Sequence, residues 1–125
     1  MKEDSQAPVQ TAANYTPNRR KFPRKSFRKA LSFLCYGKGE VVEGVEIGEG
    51  GISFRSSREV PMDEKVIVSF FMPEGDFFSV RTTLKNVQHL DHSYIYGLSF
   101  DEISIALKRQ VRAYVARTAS SVAMY

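Results

Sequence analysis

Seven basic residues, Arg19, Arg20, Lys21, Arg24, Lys25, Arg28 and Lys29, follow one another within twelve positions after Pro17, with no acidic residue among them. Inside that run Arg20 and Arg24 are separated by Lys21, Phe22 and Pro23. Pro23 restricts the backbone on both sides of itself and Phe22 offers an apolar anchor, so the two guanidinium groups are presented in a fixed relation. A guanidinium grips phosphate oxygens with paired hydrogen bonds, lies flat on a purine and reads guanine O6 and N7, whereas a lysine offers a point charge. The chemistry on offer is therefore recognition of a compact anion that carries phosphate and purine. Bond-breaking machinery is not visible: the sequence has no glycine-rich phosphate loop of Walker type, no Gly-x-Ser-x-Gly turn and no helix with paired histidines. His89 and His92 beside Asp91 are a weak metal signal in a strand-to-turn segment, and neither a metal nor a catalytic residue is expected.

The arginines stand out further when the charge is divided. The 125 residues hold 18 Lys plus Arg against 14 Asp plus Glu, a net charge of +4. Setting aside the seven basic residues of the arm leaves the rest of the chain at −3, so the pI of about 9.3 comes from one short segment. This excludes a wholly cationic nucleic-acid coat and favours a local anion site. No stretch approaches the roughly 18 apolar residues needed to span a bilayer, and residues 1–18 lack the apolar middle of a signal peptide. Cys35, the single cysteine, leaves no internal disulfide, fits a reducing compartment and reads as a small core residue. The expectation is a cytoplasmic protein that does not insert into membranes.

Positioning the arginines falls to elements with a clear alternating pattern. Residues 1–18 are polar, hold Pro8 and Pro17 and show no period, which predicts a mobile tail. Leu31, Phe33 and Cys35 then share one strand face, followed by turn residues Gly37 and Gly39 and by Val41, Val45 and Ile47. Gly48 to Gly51 break that strand, and Ile52 and Phe54 resume the alternation. Val66, Val68 and Phe70 mark a fourth strand ended by Pro73 to Asp76, Phe78 to Leu84 a fifth, and Tyr94 to Phe100 a sixth. Six short strands with short connections predict an antiparallel barrel or sandwich, since closure removes exposed edges. After Gly97 the period lengthens. Ile103, Leu107, Val111, Tyr114 and Val115 fall on one face of a terminal helix, capped by Ser104 or Asp101 and packed on the barrel or on a second copy. Phe77 and Phe78 near the turn are candidate contact residues.

Arg20-Lys21-Phe22-Pro23-Arg24, placed ahead of this strand order, resembles the Arg-x-x-x-Arg motif of the PilZ domain family, bacterial receptors for cyclic di-GMP. Glu46-Ile47-Gly48-Glu49-Gly50-Gly51 corresponds to its second motif, Asp/Asn-x-Ser-x-x-Gly, with Glu46 in place of Asp or Asn and Gly48 in place of Ser. Met72-Pro73, Tyr96-Gly97-Leu98-Ser99-Phe100 and the terminal helix extend the resemblance over residues 18–118. It implies an all-β fold with a terminal helix: a six-stranded antiparallel PilZ-like barrel formed by residues 19–118, with residues 119–125 a tail. It also implies that Arg20 and Arg24, helped by Arg19, contact the phosphates and guanines of cyclic di-GMP, with Glu46, Gly48 and Gly51 supplying the other side of the site. On this reading the protein is a non-enzymatic receptor or adaptor, a monomer or homodimer, whose arm couples ligand binding to an unidentified effector protein. A second reading, prompted by Glu46 and Gly48, is a PilZ-like adaptor that binds no nucleotide and acts through protein contacts alone. Binding of single-stranded nucleic acid, with Phe22, Phe27, Tyr36 or Phe71 as stacking platforms, is the remaining and less favoured class.

Overall fold

A computed structural model describes residues 22–123, and side chains as far as Arg117. Arg19 and Arg20, with the expected tail of residues 1–18, lie outside the described residues. The elements run β1 (Arg24–Ser26), β2 (Ala30–Cys35), β3 (Lys38–Gly48), β4 (Gly51–Ser56), β5 (Lys65–Phe71), β6 (Phe77–His89), β7 (Tyr94–Phe100) and α1 (Ile105–Ala123). Strands β3, β2, β5, β6, β7 and β4 are neighbours in that order, and β3 also pairs with β4, so six antiparallel strands close on themselves. The expected barrel with one terminal helix is therefore present.

Each strand forms where alternation separates an inner from an outer face. In β2, Leu31, Phe33 and Cys35 are buried while Leu34 is exposed; in β5, Val66, Val68 and Phe70 are buried while Ile67 and Phe71 are exposed. Inside, Phe33 stacks on Phe54 with ring centroids 4.7 Å apart, and the Phe54 edge meets Tyr96 at 5.9 Å. Tyr96 is 2% exposed, and its hydroxyl donates to Arg58 O at 2.6 Å and accepts from Val60 N–H at 3.0 Å, so no buried polar atom is stranded there. Arg58 in turn donates to Lys38 O and Cys35 O and lies 5.1 Å from the Phe33 ring, pinning the β2–β3 turn.

Two details differ from the sequence reading, and a third decides between two caps it offered. The arm is itself a short strand: β1 pairs with the end of β3 as Arg24 to Gly48, Lys25 to Ile47 and Ser26 to Glu46, a seventh strand added outside the closed six. The β2–β3 turn is made by Tyr36 and Gly37, both at positive φ (56° and 72°), while Gly39 belongs to β3. Ser104, not Asp101, caps α1: its hydroxyl accepts from Leu107 N–H at 3.1 Å, and the Asp101 carboxylate accepts instead from Thr83 and Lys65. Asp101 and Glu102 precede the helix, whose first turn holds no acidic residue. The α1 backbone continues to Ala123, and its apolar side, Leu107, Val111 and Val115, is buried against the barrel.

Candidate ligand site at the arm and the glycine turn

The pairing of β1 with β3 brings together residues 20 to 24 positions apart. Arg24 lies across from Gly48, Ser26 from Glu46, and the Arg24 Nη1 is 3.9 Å from Glu46 Oε1 with both side chains about two-fifths exposed. Glu46 is fixed from behind, where its backbone N–H donates to the Ser53 hydroxyl at 3.1 Å. Gly51 pairs with Gly48 across the β3–β4 turn. Three of the six expected site residues, Arg24, Glu46 and Gly48, thus meet in one place, with Gly51 at its base; Arg19 and Arg20 are outside the described residues.

Glycine at 48 has a steric cause. A Cβ built there would sit 2.7 Å from Pro23 O and 3.2 Å from Arg24 Cγ, closer than packed atoms tolerate, so β1 can lie this near β3 because position 48 has no side chain. The same closeness lets Phe22 cover Gly50, whose Cβ position is 3.4 Å from the Phe22 ring.

Glu49 turns away from the arm. The Arg112 guanidinium grips it with two hydrogen bonds of 2.9 Å, from Nε and Nη2, and the Glu49 side chain is only 12% exposed. That fork holds the Glu49 carboxyl below the usual glutamate range, with Lys108 adding to the effect against partial burial, and it raises the Arg112 guanidinium further. Three carboxylates, Glu43, Glu46 and Glu49, lie near the turn, and their repulsion of an anion is reduced by their placement: Glu49 is paired with Arg112, Glu46 faces Arg24, and Glu43 lies opposite Ala30 on the outer sheet face. A second tie from α1 reaches the arm, because the Tyr114 hydroxyl donates to Ser26 O at 2.5 Å and its ring meets the Phe27 edge at 5.9 Å. Sequence reasoning placed Tyr114 in the apolar stripe and Arg112 outside it, and missed both ties. No local signal marks them, since 63 and 88 residues separate the partners.

A pH dependence follows from Glu49. Its carboxyl is depressed in the folded state, so the pair's contribution is fully present above the unfolded glutamate value and is lost as pH falls through the lower folded value. The loss on going from neutral pH to about pH 3 is expected to be ~1 kcal/mol smaller in Arg112→Gln than in the wild type; urea unfolding of both proteins at the two pH values measures the difference. Asp101, held low by the Thr83 hydroxyl and by Lys65, contributes with the same sign in both proteins and cancels in the comparison.

The aromatic side chains weighed as stacking platforms differ in exposure. Phe27 is fully buried and touches Phe70 at 5.7 Å, so it cannot stack on a base; Phe22, Tyr36 and Phe71 are exposed. Among the described residues no group of three or more His, Cys, Asp and Glu side chains is gathered as for a metal. No described helix is long and apolar enough to cross a membrane. An open cleft of about 680 Å³ lies elsewhere, between the β2–β3 turn and β5, β6 and Asp101, and holds none of the six expected residues.

Comparison with known proteins decides the family. Residues 18–117 match the profile of the PilZ domain. The chain belongs to the PilZ family. Among solved structures this PilZ barrel is similar to the Bacillus subtilis inhibitor of motility MotI (DgrA), at TM-score 0.76 and 14% identity, covering 82% of this chain and 52% of that one. It is similar also to Escherichia coli YcgR in complex with cyclic di-GMP, at TM-score 0.66 and 14% identity, covering 85% and 48%. A third is the K. pneumonia MrkH complex with cyclic di-GMP, at TM-score 0.66 and 16% identity, covering 85% and 55%. The chain spans about half the length of these proteins, and at such identities the likeness is one of fold. A search of curated protein sequences gives no match.

Proposed function

We propose that this PilZ domain is a non-enzymatic cytoplasmic receptor that binds cyclic di-GMP in the angle between β1 and the β3–β4 turn. The observation that carries the reading is the β1–β3 pairing, which sets Arg24 across from Gly48 with Glu46 in reach, so that the two motif segments form one surface. Two of the related structures hold cyclic di-GMP, which supports the choice of ligand. Arg24 supplies a guanidinium to a phosphate and a guanine face, Arg20 four residues earlier supplies the second, and Arg19 adds charge. Glu46 accepts from the guanine N1 and N2 edge once released from Arg24, and Gly48 and Gly51 shape the floor. Binding changes the posture of the arm and thereby a contact with an effector protein. Isothermal titration of the full chain with cyclic di-GMP tests this: one saturable site is expected, and no heat up to high micromolar ligand would overturn it.

A second reading has an observation of its own. Glu46 already engages Arg24, and position 48 has no room for the serine hydroxyl that the family motif carries, which favours an adaptor that binds no nucleotide. The substitution Glu46→Asp, which leaves position 48 without a side chain, separates the readings, since a large gain over a silent wild type supports the adaptor. Gly48→Ser alone is expected to push β1 off β3, because its Cβ meets the Pro23 carbonyl. Trypsin cleavage after Arg24 and Lys25 then speeds up about tenfold, the equivalent of ~1.4 kcal/mol of lost local stability.

A further inference from the structure

The outer face of β3, β2, β5 and β6 carries five large apolar side chains in water: Val41, Leu34, Ile67, Phe71 and Phe77, between 39% and 73% exposed. Strand register makes them one surface. Leu34 is the cross-strand neighbour of Ile67, Phe71 of Phe77, and Val41 of Ser32, which continues through Ser69 to Ser79. The middle of the face is therefore neutral, and Ser69 and Ser79 bond each other at 2.7 Å. The Phe71 and Phe77 rings pack together at 4.9 Å yet remain more than half exposed. Solitary exposed apolar residues need no explanation, whereas five gathered on one sheet face around an uncharged serine row mark a contact surface.

Charge indicates what covers it. Glu43, on β3 beside Ala30, and Arg81, on β6 beside Ile67, occupy diagonally opposite corners of the face. Each is exposed and stands in none of the ion pairs formed among the described residues, although Arg55 is the cross-strand neighbour of Glu43 on β4. Lys65, at the Arg81 corner, is already held by Asp101 at 3.2 Å. An isologous contact requires a patch complementary to itself. With strands spaced about 4.8 Å apart, a two-fold axis in the plane of the face and across its diagonal sets Glu43 of one copy against Arg81 of the other. The same axis lays the Phe71–Phe77 pair against its own counterpart and brings Leu34 opposite Val41.

We infer that the β3-β2-β5-β6 face is a homodimer surface that binds a second copy of this chain through a two-fold contact, with apolar contacts on both sides of a neutral serine row and reciprocal Glu43–Arg81 pairs. Sedimentation of the full chain between about 1 µM and 1 mM tests it, the weighted mass rising toward twice the 14.2 kDa of the chain. Glu43→Arg and Arg81→Glu are each expected to weaken association about tenfold or more, because like charges then meet at both corners. An equimolar mixture of the two restores it, since every corner of the mixed dimer is again opposite in sign. Phe71→Ser with Phe77→Ser weakens association about 30-fold. The exposure of all four positions leaves the barrel intact, and the restoring mixture guards against loss of folding as an explanation. A single species of the chain's own mass up to 1 mM overturns the inference, and so does association that the substitutions leave unchanged. Single variants that dissociate without rescue on mixing overturn it as well; such a face would then serve a different protein partner.

Discussion

Gly51→Ala lowers the stability of the domain by about 3 kcal/mol or more, which for a barrel of roughly 100 residues brings Tm down by about 15 °C. A Cβ at this position would stand 2.1 Å from Leu98 O, 3.1 Å from Leu98 C and 3.2 Å from Ser99 Cα. All three are backbone atoms of β7, so no side-chain rotation relieves the overlap. Gly51 is paired on both sides, with Gly48 in β3 and Ser99 in β7, and Phe100 N–H donates to Gly50 O at 3.0 Å beside it. Relief therefore requires β4 and β7 to separate, which costs ladder bonds and exposes part of Ile52 and Leu98. Thermal unfolding followed by circular dichroism measures the shift. A change below about 3 °C would show that β4 and β7 can part at this point without consequence. The final glycine of the second motif thus has a structural role whatever ligand the turn receives.

Arg24→Ala weakens cyclic di-GMP binding by about 10- to 100-fold in titration calorimetry. A charge-assisted hydrogen bond contributes about 1.5–3 kcal/mol, and each 1.4 kcal/mol is a factor of ten. Arg24→Lys falls between wild type and alanine, since lysine keeps the charge and loses the planar fork. Glu46→Gln also weakens binding, by a few-fold, because an amide keeps only one of the two acceptors that meet the guanine N1 and N2 edge, a loss partly offset by freeing Arg24 from a carboxylate 3.9 Å away. Wild-type binding that survives Arg24→Ala unchanged would keep cyclic di-GMP as the ligand and remove it from the β1–β3 angle.

The six barrel strands were legible because each buries one face. Alternation such as Leu31, Phe33, Cys35 or Val66, Val68, Phe70 is a direct imprint of the pleat on sequence. The seventh strand was not, because Arg24, Lys25 and Ser26 have no apolar alternation to betray them; β1 forms through backbone pairing and the missing side chain at Gly48. Phe27, next to four cations, reads locally as part of a solvated arm, yet it is fully buried between Phe70 and Tyr114. Both caps proposed for α1 satisfied the local rule, and the choice fell to Ser104 because Thr83 and Lys65, distant in sequence, claim Asp101. For the candidate site, the arginine and the turn were visible as motifs. Their contact was not, nor was the capture of Glu49 by Arg112, since long-range partners leave no mark on local spacing.

The bond from Tyr114 to Ser26 joins the last element of the domain to the first. During synthesis the arm leaves the ribosome early, and its partner segment on β3, Glu46 to Gly48, follows roughly twenty residues later. Ser26 and Phe27 nevertheless remain without their Tyr114 contacts until most of α1 has been made. Such a late, high-separation contact delays completion of the fold relative to the barrel hairpins. A nascent chain that has finished its strands but not its helix holds β1 without the fastening that seats it, so the arm takes its final place only with the last stretch of the domain.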